Sequence, residues 1–154
     1  MAYEFSIMTQ VQAEEIAFNW NYKGVYSFYD IQADEEDFLE FVDSEKRGES
    51  VFVVENENEL IGYLSLDKTS ALTIDIGLGM RPDLTGKGKG LAFLEAVLAF
   101  VKDSYQPVKI TLAVATFNQR AVKVYKKAGF KEKETFMQNT NGSTYEFVKM
   151  ELQI

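Results

Sequence analysis

The chain has 154 residues, 46% of them hydrophobic and 14% aromatic. That is enough for one core, too little for two ordinary domains, and unlike a disordered chain. There are no histidines and no cysteines, so disulfides, thiolate nucleophiles, imidazole-based triads and the usual zinc sites are excluded. The net charge of −8 is uneven: residues 81–133 hold 11 of the 16 basic and 4 of the 24 acidic side chains, which makes that segment +7 and the remainder −15. A pI near 4.6 speaks against a nucleic-acid surface. The split itself fits an anionic ligand on one side and an amine-bearing one on the other, or simply an acidic solvated face.

Alternating apolar residues at Phe5 and Ile7 predict a first strand. The start of the chain lacks the basic-then-apolar order of a signal peptide, and no apolar run approaches the roughly 20 residues of a membrane span. A soluble cytoplasmic protein is expected. Thr9 is placed to cap a helix over 10–19, and the aromatic run 20–30 reads as a loop or irregular helix. A helix is expected over about 33–46, acidic at its front, basic at Lys46 and Arg47, with Phe38, Phe41 and Val42 on one stripe.

Residues 51–54 and 60–64 read as strands joined across Asn56-Glu57-Asn58-Glu59, and a third strand is expected over 72–80. On that third strand Asp75, Gly77 and Gly79 share one face, and the two glycines mark either a bulge or a close approach to the backbone. The turn that follows is Arg81-Pro82-Asp83-Leu84-Thr85-Gly86-Lys87-Gly88-Lys89-Gly90. Alternate glycines before a helix leave backbone N–H groups unshielded, which suits a phosphorylated ligand, although a plain tight turn would look the same. The pattern is not Gly-x-x-x-x-Gly-Lys-Ser/Thr, because Leu91 follows Gly90, nor Gly-x-Gly-x-x-Gly, because the third glycine comes one residue early.

The helix over about 88–103 is apolar on nearly all sides and is expected to be central and buried. A strand follows at Ile110, Leu112 and Val114, then a helix capped by Asn118 and stopped by Gly129. Residues 130–136 and 145–152 close the chain as a strand pair across Asn141-Gly142.

With both motifs in view, the chain resembles the GNAT superfamily of acyl-CoA-dependent N-acetyltransferases. The family's phosphate loop, Arg/Gln-x-x-Gly-x-Gly/Ala after a strand ending in an apolar-x-Pro step, is similar to Met80-Arg81-Pro82 and Thr85-Gly86-Lys87-Gly88-Lys89-Gly90. Its second motif, Asn-x-x-Ala-x-x-x-Tyr-x-x-x-Gly-Phe, matches Asn118, Ala121, Tyr125, Gly129 and Phe130. The two motifs cover about a third of the chain. The resemblance implies a single α/β domain over 1–154 with the GNAT fold, a mixed, mostly antiparallel sheet of six or seven strands and helices on both faces.

It further implies acetyl-CoA as co-substrate, no metal, and transfer to a primary amine by direct attack in a ternary complex. The acceptor is a small-molecule or protein amine, with no nucleic-acid or membrane partner, and a homodimer is open to it. A catalytically weak acyl-CoA-binding domain serving in regulation or assembly is the alternative. The amides of Gly86, Lys87, Gly88, Lys89 and Gly90 would hold the pyrophosphate, with charge from the two lysines. Leu78 and Gly79 would pair with the pantetheine, the Met80 amide would polarise the thioester carbonyl, and Asn118 would cap its helix and touch the pantetheine.

Thr85 stands where the family has Arg or Gln, so its side-chain contribution is shorter. Tyr125 corresponds to the tyrosine that protonates the departing thiolate, although its place on the stripe Ala121, Val124, Tyr125, Ala128 also suits plain packing. The glutamate that some protein-acetylating relatives use as base is absent, since Leu112-Ala113-Val114 stands in its place. Asp75 is the first candidate base, or a hydrogen-bonded structural acid. Tyr29 and Asp30 in the aromatic run are the candidate acceptor contacts, or part of a packed cover over the core.

Overall fold

The computed structural model of the protein describes residues 3–154. Its strands are β1 (Tyr3–Ile7), β2 (Val51–Asn56), β3 (Glu59–Ser70), β4 (Thr73–Met80), β5 (Lys109–Ala115), β6 (Lys131–Thr140) and β7 (Ser143–Gln153). They form one sheet in the order β1-β2-β3-β4-β5-β7-β6, antiparallel except where β4 runs parallel to β5. The helices are α1 (Gln10–Asn19), α2 (Glu35–Phe41), α3 (Ser44–Arg47), α4 (Gly90–Tyr105) and α5 (Gln119–Lys127).

Alternation along the strands divides the core between two faces. Phe52, Val54 and Leu64 pack with Phe93, Leu94, Val97 and Val101 of α4 and Val122 of α5, whereas Val53 and Tyr63 pack with Ala13, Ile16 and Trp20 of the α1 face. Helices therefore cover both sides, as the family resemblance implies. No helix of the described residues is long and apolar enough to cross a membrane.

α1 begins as expected, with a capping box in which the Thr9 hydroxyl accepts from the Gln12 amide and the Gln12 side chain accepts from the Thr9 amide. The aromatic run folds as a 3₁₀ helix over Gly24–Tyr29. The Asn141 amide and side chain donate to Asp34 and to the Phe28 carbonyl, which ties that run to the β6–β7 turn.

The single helix expected over 33–46 is broken in two. The Asp34 carboxylate caps α2 and the Asp43 carboxylate caps α3, accepting from the Glu45 and Lys46 amides. A mid-segment Asp that satisfies the amides ahead of it starts a new helix rather than continuing the old one. Two other expectations need adjustment. β3 runs on past 64 to Ser70. α4 is buried on one side only, through Phe93, Leu94, Val97, Leu98 and Val101, with Glu95, Ala99 and Lys102 in solvent.

The feature that creates the site is a parting of strands. β4 and β5 pair only at Thr73–Lys109, Ile74–Ile110 and Asp75–Thr111, and beyond that the sheet opens. The strand ending at Met80 and its parallel neighbour therefore splay apart beyond Asp75.

Candidate active site

The opened gap continues into a cleft of about 860 Å³. On one wall the backbone of β4 is arranged by its pairing with β3. The Arg81 N–H donates to the Ile61 carbonyl at 2.8 Å, and Met80 stands opposite Gly62. Hydrogen-bonding direction alternates along an antiparallel pair, so the amides of Leu78 and Met80 face away from β3 into the gap that β5 has vacated. The Met80 carbonyl accepts from the Tyr22 hydroxyl at 2.7 Å, which holds the strand end in place. Arg81 fixes the exit by pairing with Asp83 at 2.7 Å and donating to the Leu60 carbonyl at 3.2 Å.

Gly79 has no side chain for a reason unrelated to bulging: a Cβ there would lie 2.4 Å from the Tyr63 ring. The phenol end of Tyr63 therefore lies against Gly79 of β4.

The glycine turn follows. The Thr85 hydroxyl donates to the Pro82 carbonyl at 2.7 Å, so it closes the turn rather than reaching for a ligand. Gly86 and Gly88 have φ of 71° and 75°, conformations that other residues adopt only with strain. α4 begins at Gly90 without a side-chain cap from Lys89, leaving its first amides to the cleft. Thr85, Gly86, Gly88 and Gly90 line the cleft, while Lys87 and Lys89 are exposed beside it. The donor set is backbone N–H at a helix start, which fits a pyrophosphate.

On the other wall, α5 contributes Asn118, Arg120, Ala121, Val124 and Tyr125. Asn118 accepts from the Ala121 amide at 3.1 Å and donates through Nδ2 to the Tyr29 hydroxyl at 3.1 Å, so one side chain caps the helix and anchors the aromatic run. The Tyr125 ring lies 5.9 Å from Phe130, and among the described residues no protein group hydrogen-bonds its hydroxyl. Burial, then the neighbouring Tyr29 and Tyr63, push the Tyr125 phenol well above its ordinary range, burial does the same to Tyr22, and burial raises Tyr29 against the lowering effect of its hydrogen bond with Asn118. Tyr63 is pushed up to about 12 by burial and then by the Asp37 carboxylate. At neutral pH all of these phenols carry their protons.

The cleft thus brings together Leu78, Gly79, Met80, Thr85, Gly86, Gly88, Gly90, Asn118, Tyr29 and Tyr125. Asp30 and Asp75 do not line it. Asp30 accepts from the Tyr22 amide at 2.7 Å and so shapes the aromatic run. Asp75 lies where β4 and β5 are still paired; its carboxylate accepts from the Thr111 hydroxyl at 2.6 Å, and burial raises its pKa despite that bond. It stands outside the cleft, hydrogen-bonded to Thr111.

Sequence reasoning missed Tyr63 and Arg120. Tyr63 carries no motif; its signal is the pairing of a tyrosine with a glycine on the neighbouring strand, visible only once register is known. The Arg120 guanidinium sits 4.1 Å over the Tyr26 ring, and a Cβ on Gly86 would come within 3.0 Å of its Nη1. It brings to the glycine turn the cation that Thr85 does not. The acidic excess outside residues 81–133 does not gather in the cleft, whose charged lining is Asp37, Glu40, Lys46, Arg47, Arg120 and Lys127.

Residues 12–130 match the profile of the Acetyltransferase (GNAT) family. An uncharacterized N-acetyltransferase of Mycobacterium tuberculosis is 27% identical over 108 residues, 70% of this chain and 67% of its own. Among solved structures, spermidine N-acetyltransferase from Vibrio cholerae, crystallised with CoA and spermine, superposes with a TM-score of 0.76 at 21% identity, covering 98% of this chain and 95% of that one. A GNAT-family acetyltransferase from Bacillus anthracis superposes with a TM-score of 0.73 at 17% identity, over 98% and 94%.

Proposed function

The chain belongs to the Acetyltransferase (GNAT) family and is an acyltransferase, and from that premise we propose that it moves an acetyl group from acetyl-CoA to a primary amine by direct attack in a ternary complex. The observation that carries the reading is the meeting, in one cleft, of the outward Met80 amide, the glycine turn at the start of α4, and the Tyr125 hydroxyl. Bound there, acetyl-CoA supplies the thioester, and each protein group has a stated task.

The amides of Gly86 to Gly90 hold the pyrophosphate at the helix start, with Lys87 and Lys89 adding diffuse positive charge. Leu78 and Gly79 align the pantetheine along β4. The Met80 amide donates to the carbonyl oxygen where negative charge grows. Tyr125, protonated at neutral pH, donates to the sulfur as it leaves. The chain has no cysteine to carry the acyl group covalently, so direct transfer is the economical course. No carboxylate of β4 takes the amine proton in this scheme, because Asp75 is engaged with Thr111. The amine enters neutral, beside the Tyr63 phenol; the C–N bond forms as the C–S bond breaks, and the proton that the nitrogen then sheds passes through water to restore the Tyr125 phenol. The whole chain is read as one such domain. The Vibrio neighbour bound to CoA and spermine supports both the co-substrate and the amine chemistry, without naming this chain's acceptor.

The test is two-substrate initial-velocity kinetics on thiol release. Lines that intersect in double-reciprocal form are expected for a ternary complex, and parallel lines would reject direct attack.

Arg120→Met should raise the Km for acetyl-CoA about tenfold, or about 1.4 kcal/mol, and lessen the salt dependence of CoA binding. Unchanged Km and salt dependence would return Arg120 to a packing role on Tyr26.

A further inference from the structure

The acceptor end of the cleft carries both signs of charge, Asp37 and Glu40 beside Lys46 and Arg47. Its walls are α2, α3 and the adjoining stretch of sheet, represented by Asp37, Phe41, Arg47, Val51 and Ser65. Arg47 is the unusual member, with only 6% of its surface exposed. Its Nη1 donates to the Phe41 carbonyl at 2.6 Å and its Nη2 to Gln10 Oε1 at 2.9 Å. Both partners are neutral. Among the described residues no carboxylate lies within 4.0 Å of the guanidinium, although Asp37 and Glu40 belong to the same chamber. A cation withdrawn from water normally meets an anion, and a guanidinium has five N–H donors, of which these two bonds use two.

The carbonyl of Phe41 closes α2. The bond to it and the bond to Gln10 therefore hold the fork in one orientation, as a planar receptor for an oxyanion must be held. The acids have the opposite character: Asp37 and Glu40 are exposed on the rim, and Asp37 lies close enough to Tyr63 to influence its phenol. The chamber thus offers a buried positive group and an outer negative one, near the phenol that covers the end of β4.

We propose that Arg47 binds a carboxylate carried by the acceptor, so that the preferred acceptor is a small amino acid, with amine and carboxylate on one skeleton, and not a polyamine. The inference rests on the acetyltransfer reading above. It makes Arg47 a specificity-determining residue that acts on acceptor binding and not on acetyl-CoA.

The experiment measures thiol release from acetyl-CoA with the free amino acids, each beside its amide, and with spermidine. Wild-type protein is expected to use its best amino acid at least about tenfold better in kcat/Km than the matching amide, a single charged contact. Arg47→Gln should bring that ratio close to one, chiefly through the Km for the amino acid, with the Km for acetyl-CoA unmoved. Equal or better use of the amide or of spermidine by the wild-type protein overturns the proposal and leaves acetyltransfer standing. So does an Arg47→Gln protein of normal melting temperature that keeps the ratio. Because Arg47 also joins α2 to α1, the variant could fail to fold; the wild-type comparison then decides alone. If no amine in the panel is acetylated although CoA binds, the acetyltransfer reading itself falls, and this proposal falls with it.

Discussion

Tyr125→Phe is expected to slow the chemical step by about 10²–10⁴-fold, the span ordinarily supplied by a positioned general acid. The substitution removes one oxygen and keeps the ring, which packs against Phe130 and the α4–α5 side of the core. Folding should therefore be preserved. No protein group among the described residues hydrogen-bonds that hydroxyl, so its removal leaves no partner unsatisfied. What is lost is the proton donor that the proposed mechanism places beside the leaving sulfur. Burial holds the phenol above its ordinary pKa. The proton thus stays on Tyr125 until a thiolate begins to form, and the wild-type rate should not fall through deprotonation of this group anywhere between pH 6 and about 10. Single-turnover measurements beside thermal melting check both halves. A wild-type rate with wild-type melting would leave Tyr125 as a packing residue and the thiolate leaving unassisted.

Gly88→Val should weaken CoA binding at least tenfold, about 1.4 kcal/mol. The φ of 75° at this position is one that a β-branched residue resists. Nothing lies within 4 Å of the added Cβ, so the damage is to the turn's amides and not to the core. A control is built into the fold. Gly142 has φ of 76° and equally open surroundings, but it sits in the β6–β7 turn. Gly142→Val should cost comparable stability and leave CoA affinity alone. Calorimetry on both variants separates strain from ligand contact, and equal affinities for the two would remove the glycine turn from the binding site.

What could be read in advance was whatever local chemistry determines. Thr9 and Asn118 are caps in the structure because their oxygens satisfy amides within one turn of chain. The Glu57-Asn58 turn was legible for a similar reason, since both residues take positive φ between strands of strong pattern. The helix over 33–46 misled because the stripe of Phe38, Phe41 and Val42 followed by the basic end at Lys46 and Arg47 reads as one helix, while the break depends on which amides the Asp43 carboxylate accepts. The proposed cofactor side of the site lay in two contiguous motifs. The proposed acceptor side did not: Tyr63, Asp37 and Arg47 come from separate elements and line one cleft only after the sheet has set its register and α2 has ended at Phe41. Asp75 shares a strand face with Gly77 and Gly79, yet it belongs to the last pair of β4 with β5, and no pattern marks where two parallel strands part.

The most direct test of the account is a crystal structure of the protein with CoA. The account predicts the pantetheine along Leu78 to Met80 between β4 and β5, the pyrophosphate on the amides of Gly86 to Gly90 with Arg120 beside it, and the sulfur within about 3.5 Å of the Tyr125 hydroxyl. CoA seated elsewhere, or a thiol pointing away from Tyr125, would contradict it.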